Sequence, residues 1–506
     1  MPDLASTDTE GGLVSAILAH AETNGACPAL TSEGVTLSWA ELDARVRYLS
    51  GAVAAEPADA QRPIALAAMN SVDSVIAYLA IAAAGRCVVP LPVSASAEII
   101  RGMLADCEPQ LIFADSTGLE LIGTEVPRRT VVLGNPSFSG KVTPLAVPIT
   151  PNGETDFNII YSSGTTARPK GIVHSHAMRY RQAARAMFGI GTSSTILLAT
   201  PIYSNTTLMP LLATLFHGGH VVLMRKFDAR NYLDLAERYR ATHTMLVPVQ
   251  YQRLIAEPSF ATRILDTFQL KQSTGAPMAA DLKRKVLACW PGRLLEVFGL
   301  TEGGCTCILD VGAAPDKAHT VGRPAAGNDI RVIDEAGHVL PRGEVGEVVG
   351  RSPTMMTRYF RNPEETEAFY WYDATGNRFH RTGDIGRFDE DGYLTLLDRK
   401  KDVIISGGFN IYASDLERAL LAHPDVCDAA VIGIPSDKWG ETPLGFAVLQ
   451  DGVSTSADTL LEWANGQLGK MQRMSGLVLR ASLPRSAAGK VLKQELRKPY
   501  WMDRNL

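Results

Sequence analysis

The sequence predicts an α/β protein with a large N-terminal domain of doubly wound sheets, a β-rich subdomain and a small α+β C-terminal domain. From about residue 60 to residue 250, short β-branched runs such as "QLIFAD" (110–115) alternate with amphipathic stretches such as "LDLAERYRA" (233–241). This alternation is typical of mostly parallel sheets covered by helices. Beyond about Asp329, stretches such as "GYLTLLDRKKDVIISGG" (392–408) indicate antiparallel ribbons, and roughly the last hundred residues mix helical and strand patterns.

The length of 506 residues and the mass of 54.5 kDa exceed what one hydrophobic core usually organises, which predicts at least two domains. The charged cluster at residues 398–402 marks the expected boundary. We therefore expect an N-terminal domain over residues 1–398 and a C-terminal domain over residues 399–506.

The composition, with 46% hydrophobic and 20% charged residues, is that of a soluble globular protein. A formal net charge of −5, spread along the chain, argues against nucleic acid as the main partner. The longest apolar helix candidate, residues 74–85, is too short to span a bilayer, and the polar start of the chain lacks a signal-peptide pattern. Seven scattered cysteines indicate reduced thiols, so we expect a cytoplasmic protein without a membrane span.

A phosphate-binding loop is predicted at "SSGTTARPK" (162–170), where glycine, hydroxyls and one lysine lie beside apolar runs. Backbone N–H groups and hydroxyls of such a loop can wrap phosphates, Gly164 permits close approach, and Lys170 adds a positive charge. A P-loop would need a glycine and a lysine side by side, followed by Ser or Thr. Here five residues separate Gly164 from Lys170 and Gly171 follows the lysine, so the P-loop interpretation fails.

Four further motifs follow this loop in order: "VFGLTEGG" (297–304), "RTGDIGRF" (381–388), "DRKKDVIISGGFNIY" (398–412) and "PRSAAGKV" (484–491). With them the chain resembles the adenylate-forming (AMP-binding) superfamily over essentially its whole length, and acyl- and aryl-CoA synthetases most of all. The resemblance implies that ATP adenylates a carboxylic acid, that a thiol then displaces AMP, and that the C-terminal domain is mobile.

The resemblance also implies a set of ATP- and AMP-binding residues. In order along the chain they are Ser162, Ser163, Gly164, Thr165, Thr166, Lys170, Gly275, Ala276, Pro277, Glu296, Val297, Phe298, Gly299, Thr301, Asp384, Arg399 and Lys490. Ser162, Ala167 and Phe298 stand where the family usually has Thr, Gly and Tyr. These changes are small, and we do not expect them to abolish nucleotide binding.

Lys490, Glu302 and Thr166 are the implied catalytic residues. Lys490 would bridge the acid's carboxylate and the α-phosphate, and so stabilise the transition state more than the ground state. Glu302 would hold Mg²⁺, which bridges ATP oxygens. Outside this motif, Glu302 would be interpreted as a surface carboxylate. Asp384 suits the ribose hydroxyls because its carboxylate only accepts hydrogen bonds. Lys401 is the implied hinge for rotation of the C-terminal domain.

Coenzyme A is the expected acceptor, because "GGFNIY" (407–412) resembles the acyl-CoA synthetase version of this segment. Gly407 and Gly408 would let a pantetheine arm pass close to backbone, and Lys226 matches a position that can contact coenzyme A phosphates. Residues 470–506 carry nine Lys or Arg against two Asp or Glu. This basic stretch is either a solvated face or a further contact for the same polyanionic nucleotide.

Two alternatives stay open at this point. The first is a stand-alone adenylation enzyme that loads an aryl acid onto a carrier protein. The second is a non-catalytic sensor of nucleotide or acyl-adenylate, against which the presence of the expected catalytic residues argues. The partners would be a small carboxylic acid, ATP and coenzyme A, and the chain would act as a monomer or homodimer.

The acyl pocket is predicted from "TPIYSNTTLMP" (200–210). Its expected lining consists of Tyr203, Ser204, Asn205, Thr206, Met278 and Gly303. The polar residues either cap the end of a strand or form hydrogen bonds with a small or hydroxylated acid, and the sequence leaves both interpretations open. The second interpretation favours an aromatic or hydroxy acid over a long alkyl chain.

Overall fold

Two units divide the chain in this computed structural model. Unit 1 comprises residues 1–319, 324–329 and 351–380, and unit 2 comprises residues 320–323, 330–350 and 381–506. The structure describes residues 12–56, 62–123, 129–134, 142–162, 170–185, 188–407, 409–485 and 490–501. The predicted boundary between residues 398 and 399 stays a prediction; the division between the units places residues 330–350 and 381–398 with the C-terminal residues.

The strands alternate with helices in the first half of the chain and follow one another more closely in the second half. The strands are β1 (Pro28–Ser32), β2 (Val35–Ser38), β3 (Ile64–Ala67), β4 (Val88–Pro90), β5 (Leu111–Ala114), β6 (Arg129–Val132), β7 (Asp156–Ser162), β8 (Lys170–Ser175), β9 (Thr195–Leu198), β10 (His220–Leu223), β11 (His243–Leu246), β12 (Leu270–Ser273), β13 (Arg293–Phe298), β14 (Cys307–Asp310), β15 (Arg323–Pro324), β16 (Asp329–Ile333), β17 (Gly346–Arg351), β18 (Arg358–Tyr359), β19 (Tyr370–Tyr372), β20 (Arg378–Phe388), β21 (Leu394–Arg399), β22 (Ile404–Ser406), β23 (Phe409–Ile411), β24 (Val426–Ser436), β25 (Gly440–Leu449) and β26 (Gly476–Leu479).

The α-helices are α1 (Leu13–Leu18), α2 (His20–Asn24), α3 (Trp39–Ala54), α4 (Val72–Ala83), α5 (Ala97–Cys107), α6 (Ser116–Ile122), α7 (His176–Ala184), α8 (Asn205–Phe216), α9 (Ala229–Arg238), α10 (Pro248–Ile255), α11 (Ala280–Cys289), α12 (Pro363–Ala368), α13 (Ala413–Leu421), α14 (Ala457–Gly466) and α15 (Lys493–Trp501). Single 3-10 turns cover Phe260–Thr262, Pro315–Lys317, Lys400–Asp402 and Lys470–Gln472.

Unit 1 contains two sheets that are parallel in their centres. One has the strand order β14-β13-β12-β11-β9-β10-β1-β2, parallel from β13 to β1 and antiparallel at both ends. The other has the order β18-β8-β7-β4-β3-β5-β6, parallel from β7 to β6, with β8 and β18 added antiparallel. The predicted α/β class of the large domain is confirmed by this arrangement.

Helix α4 shows how local sequence signals start and end a core element. Ser71 caps it, accepting a hydrogen bond from the backbone N of Ser74 at 3.1 Å and donating its own backbone N–H to the Ser74 hydroxyl at 2.9 Å. Gly85, with φ of 70°, follows its last turn, a conformation that costs glycine little. Every residue of α4 except Asp73 is buried, and its hydrophobic residues lie in one core cluster with residues from both sheets of unit 1.

Unit 2 carries the antiparallel ribbons and the α+β fold that the sequence predicts. Strands β20 and β21 pair antiparallel, with Asp384 opposite Arg399. A second sheet has the order β23-β22-β25-β24, with β26 parallel to β25. Its core joins Leu416 of α13, Leu460 of α14 and Val431 of β24, all fully buried.

No helix among the described residues combines the length and the apolar character that crossing a bilayer requires.

Candidate active site

The carboxyl edge of the first sheet of unit 1 gathers three of the predicted segments. Strands β9, β12 and β13 run parallel in this sheet, so the segments that follow them emerge at the same edge. Residues 203–206 follow β9, residues 275–278 follow β12, and the Thr301–Glu302 pair follows β13. The hydroxyl oxygen of Thr206 lies close to Gly275, since a Cβ added to Gly275 would be 3.9 Å from it.

The predicted phosphate loop is described only at its two ends. Ser163, Gly164, Thr165 and Thr166 lie outside the described residues, as does Gly408. Ser162 ends β7 and pairs with Lys170 at the start of β8, so the two ends of the loop lie side by side. Lys170 forms an ion pair with Glu365, and its ammonium lies 5.5 Å from the ring centre of Tyr359.

Tyr359 joins Lys170 to Glu302, two residues that the sequence assigns to phosphate and to metal. Its hydroxyl donates to Glu302 Oε1 at 3.0 Å, while its ring lies below the Lys170 ammonium. The ring is buried, and this burial, with the adjacent Glu302 carboxylate, raises the pKa of the phenol well above its usual value. Tyr359 therefore acts as a neutral donor that fixes one oxygen of Glu302.

Two buried histidines hold the backbone of the loop that carries Glu302. His174 Nε2 lies 2.7 Å from the carbonyl oxygen of Thr301, and His380 Nδ1 lies 3.3 Å from that of Gly303. Burial lowers the pKa of His380 to about 4, and burial and the neighbouring Arg179 lower that of His174 well below its usual value. Both rings are therefore neutral at physiological pH, and each donates to a loop carbonyl.

Gly303, predicted in the wall of the acyl pocket, permits a close backbone approach. Its φ is 70°, and a Cβ added to it would lie 1.9 Å from the carbonyl oxygen of Thr354. A side chain at this position would push the Glu302 loop away from the segment around Thr354. The amide of Met356 also donates to the carbonyl of Glu302 at 2.7 Å, so this segment holds the loop from a second side.

The predicted adenine wall is built by the ends of β12 and β13. Gly275 has φ of 84°, and Thr274 Oγ1 donates to the carbonyl of Val297 at 2.7 Å. Glu296, predicted to contact nucleotide, accepts from the backbone N of Met278 at 3.0 Å and forms a buried ion pair with Lys283. In the described chain its carboxylate thus supports the 275–278 segment from behind. Phe298 is half-buried at the end of β13, and Gly299 is exposed.

Among the polar residues of the predicted acyl pocket, Ser204 caps a helix, not the end of a strand. Ser204 is the N-cap of α8, and its hydroxyl accepts from the backbone N of Thr206 at 3.3 Å. Tyr203 exchanges a hydrogen bond of 2.7 Å with Ser94, and Asn205 Oδ1 accepts from Arg179 at 2.7 Å. Tyr203, Ser204, Asn205 and Thr206 are half-buried, so part of each side chain stays accessible.

In unit 2, Asp384, Arg399 and Lys490 form one charged cluster. Arg399 Nε lies 2.8 Å from Asp384 Oδ1, and Arg399 Nη1 donates to the carbonyl of Thr382 at 3.0 Å. Lys490 retains exposed surface, yet desolvation by surrounding atoms and then the Arg399 charge lower its pKa to about 8, while Asp384 opposes this shift. The cluster can bind an anion through its cations and hydroxyl groups through its carboxylate.

The residues next to the predicted hinge are held by ion pairs. Lys401 lies in the 3-10 turn Lys400–Asp402. The carboxylate of Asp402 accepts a hydrogen bond from Arg497 at 2.8 Å. Lys400 pairs with the buried carboxylate of Glu347 at 3.0 Å. Lys401 and Arg497 also line an open cavity of about 680 Å³.

The predicted coenzyme A residues lie in different units. Lys226 is exposed just after β10 in unit 1. Gly407, in unit 2, has φ of 58°, and a Cβ added there would lie 2.9 Å from the ring of Trp439. Glycine at 407 therefore lets the chain pass beside an indole ring.

Two family models match the chain: AMP-binding enzyme over residues 18–360 and AMP-binding enzyme C-terminal domain over residues 415–490. This chain belongs to the AMP-binding enzyme family. The predicted membership of the adenylate-forming superfamily is thereby confirmed, and so, at the level of the family, is the prediction of an enzyme of the acid–thiol ligase class.

Similar proteins cover nearly the whole of this AMP-binding enzyme. A feruloyl-CoA synthase of Amycolatopsis sp is 29% identical over 97% of this chain and 99% of the relative. The fatty acid–[acyl-carrier-protein] ligase ScoC of Streptomyces coeruleorubidus is 29% identical over 97% of each chain. The crystal structure of ATP-bound MatB from Rhodopseudomonas palustris is 28% identical, has a TM-score of 0.88, and covers 98% of this chain and 99% of its own. This likeness confirms the predicted fold class.

Proposed function

We propose that this AMP-binding enzyme is an ATP-dependent carboxylic acid–CoA ligase. It would form an acyl-adenylate with release of pyrophosphate, and then an acyl-CoA thioester with release of AMP. The observation that carries the proposal is the shared carboxyl edge of one sheet, where the acyl-pocket, adenine-wall and Thr301–Glu302 segments emerge together. Acid and ATP bound there would lie in one crevice, as an in-line attack requires.

In the first half-reaction, a carboxylate oxygen of the acid attacks the α-phosphorus of ATP. The bond from this phosphorus to the bridging oxygen breaks, and pyrophosphate leaves with that electron pair. Lys170 would neutralise phosphate charge, and Lys490 would bind both the carboxylate and the α-phosphate as their charges redistribute. Asp384 and Arg399 would hold the ribose; their ion pair of 2.8 Å supports this role, because it orients the carboxylate.

Glu302 fits a Mg²⁺ ligand by the chemistry of its carboxylate. One oxygen accepts from Tyr359, and the side chain is half-buried at the sheet edge, which leaves the other oxygen for a hard cation. Among the described residues, no three side chains of His, Cys, Asp or Glu converge, so phosphate oxygens and water would supply most other ligands. When bound, Mg²⁺ would draw charge from the departing pyrophosphate.

In the second half-reaction, a thiolate attacks the acyl carbon, a C–S bond forms, and AMP leaves with the C–O electrons. We assign the change between the two reactions to rotation of residues 399–506 relative to residues 1–398 about Lys401. The 3-10 turn at Lys400–Asp402 supports this assignment, since hinges are short segments between packed elements. Gly407 and Gly408 would pass the pantetheine arm, and Lys226 would meet a coenzyme A phosphate.

The proposed acid is aromatic, or small and hydroxylated. The half-buried polar groups of Tyr203, Ser204, Asn205 and Thr206 support this choice, because a long alkyl chain needs an apolar tunnel. The likeness to a feruloyl-CoA synthase is in line with it. The second candidate is transfer to a carrier protein, which the likeness to ScoC favours.

Pyrophosphate release against a panel of carboxylic acids, with and without coenzyme A, tests the proposal. One acid should give release that rises strongly when coenzyme A is present. Equal pyrophosphate release with and without coenzyme A would favour transfer to a carrier protein. A phosphopantetheinyl protein would then be added as the acceptor. No release with any aromatic, hydroxylated or aliphatic acid would contradict the ligase assignment and favour a nucleotide sensor.

A further inference from the structure

Arg179 of α7 is a fully buried cation with neutral partners only. Its Nε donates to Asn158 Oδ1 at 2.7 Å, and its Nη1 donates to Gln182 Oε1 at 2.6 Å and to Asn205 Oδ1 at 2.7 Å. Its Nη2 lies 3.0 Å from His174 Nδ1. In the described part of the chain no carboxylate pairs with it, and burial lowers its pKa to about 10, so it remains charged at physiological pH.

The guanidinium fixes the orientation of the Asn205 amide. An arginine side chain only donates hydrogen bonds, so the oxygen of the amide must face Arg179 and the NH₂ group must face away. Asn205 is the first residue of α8, and its side chain is half-buried. Among the described residues Nδ2 has no hydrogen-bond partner, which leaves two N–H donors available beside the predicted acyl pocket.

The same guanidinium fixes the tautomer of His174. Because Nη2 donates to Nδ1, the proton of the neutral ring must lie on Nε2, which then donates to the carbonyl of Thr301 at 2.7 Å. One buried cation thus holds a side chain of the acyl segment and, through His174, the backbone before Glu302.

We infer that Arg179 is a positioning residue that sets acid specificity, by presenting the Asn205 NH₂ as a donor to an acid that carries an oxygen acceptor besides its reacting carboxylate. Hydroxyl, methoxy and ketone oxygens belong to this class. The inference rests on the proposed function, since it needs the segment 203–206 to line the acid site. An acid with an apolar group of the same size would leave the NH₂ unpaired and bind more weakly.

Two matched variants test the inference. Asn205→Asp gives Arg179 a carboxylate and removes the NH₂ donor, whereas Gln182→Glu gives the same guanidinium a carboxylate and leaves Asn205 intact. The measurement is equilibrium binding, by calorimetry in the presence of ATP analogue, of acid pairs such as 4-methoxycinnamic and 4-ethylcinnamic acid. KM and kcat for pyrophosphate release with the same pairs provide the second readout.

The wild type and Gln182→Glu should bind the methoxy acid roughly tenfold more tightly than the ethyl acid. In Asn205→Asp this ratio should fall to about one or below, through KM and not kcat, with the KM for ATP unchanged. Equal binding of the paired acids by the wild type, or a retained preference in Asn205→Asp, would overturn the inference. So would failure of Asn205→Asp to fold, because an anion beside this guanidinium should stabilise the protein.

The outcome is separable from that of the proposed function. Acid binding with the expected ratio but no pyrophosphate release would sink the ligase assignment and keep the role of Arg179. Pyrophosphate release with no preference for acids that carry a second oxygen acceptor would contradict the role of Arg179 and keep the ligase assignment.

Discussion

Each unit contains an ion pair next to predicted nucleotide-binding residues, and the two pairs differ in their exposure. In unit 1, the side chains of Lys283 and Glu296 are 2% and 5% exposed. In unit 2, Asp384 is 8% exposed, but its partner Arg399 is 31% exposed, and Lys490 beside them retains exposed surface. We call the first pair sealed, because both of its side chains are buried. We call the cluster of Asp384, Arg399 and Lys490 open, because its cations retain exposed surface.

This difference in exposure distinguishes an ion pair that supports the fold from a cluster that we propose acts in catalysis. The sealed pair uses its remaining hydrogen bonds inward, from Lys283 Nζ to the carbonyl of Ala318 at 2.7 Å and from the amide of Met278 to Glu296. Burial raises the pKa of Glu296, and Lys283 opposes this shift, so the negative charge of Glu296 depends on its partner. In the open cluster, the cations retain exposed surface and can exchange one anion for another, as the proposed contacts of Lys490 with the carboxylate and the α-phosphate require.

Removal of one partner from the sealed pair should produce the largest effect. Lys283→Met should lower the free energy of unfolding of the unit by about 3–5 kcal/mol, because it strands a buried carboxylate. Calorimetric melting of the full chain measures this loss. The double variant Lys283→Met, Glu296→Gln should recover at least half of it, since the amide oxygen can still accept from Met278. A loss below about 1 kcal/mol in the single variant would show that the pair is not sealed in solution.

In the open cluster, the same kind of deletion should affect rate, not stability. Lys490→Ala should slow acyl-adenylate formation by roughly 10²-fold or more, which corresponds to about 2.7 kcal/mol. It should spare thioester formation from a supplied adenylate, and it should leave the melting temperature close to that of the wild type. Single-turnover assays of the two half-reactions make the comparison. An equal loss in both would contradict the assignment of Lys490.

The hinge prediction extends the comparison to the backbone. Lys401→Pro should leave pyrophosphate release intact and slow thioester formation by at least about tenfold, because proline restricts the φ/ψ change that rotation needs. Lys401→Ala removes the same ammonium while keeping a free backbone, and so separates the effect of charge from that of rotation. Unimpaired turnover of the proline variant with coenzyme A would rule out this hinge position.

The elements were predictable from sequence because their signals are local, and for the same reason the motif residues could be proposed as site residues. Buried strands appear as short apolar runs, and Glu302 and Lys490 each stand within a motif of a few residues. Residues whose roles depend on distant partners were missed. Tyr359 lies 57 residues from Glu302, and His174 lies 127 residues from Thr301. A single tyrosine or histidine in an apolar segment gives no pattern from which such a contact can be deduced.

Glu296 shows the same limit within a motif. The resemblance implies that it contacts nucleotide, which stays a prediction, but the sequence did not indicate its buried ion pair with Lys283, which α11 brings beside β13. Conversely, Arg179 carried no signal in the sequence, although it gathers Asn158, Gln182 and Asn205 around one buried charge. Burial and pairing are tertiary properties, and they decide whether a charged residue supports a site or acts in it.

The smallest expected effect is the pH dependence of adenylation, which should show how exposed the open cluster of unit 2 is. Desolvation and the Arg399 charge lower the pKa of Lys490 to about 8 from its usual 10.5. Since the proposed bridge needs the ammonium, kcat/KM for pyrophosphate release should be full below about pH 7, be halved near pH 8, and fall roughly tenfold per unit above it. In Lys490→Arg the guanidinium stays protonated throughout this range, so the alkaline decline should disappear even if the plateau is lower. A decline in the wild type that begins only near pH 10 would mean that neither desolvation nor Arg399 acts on Lys490 in the free enzyme, and that the cluster opens in solution.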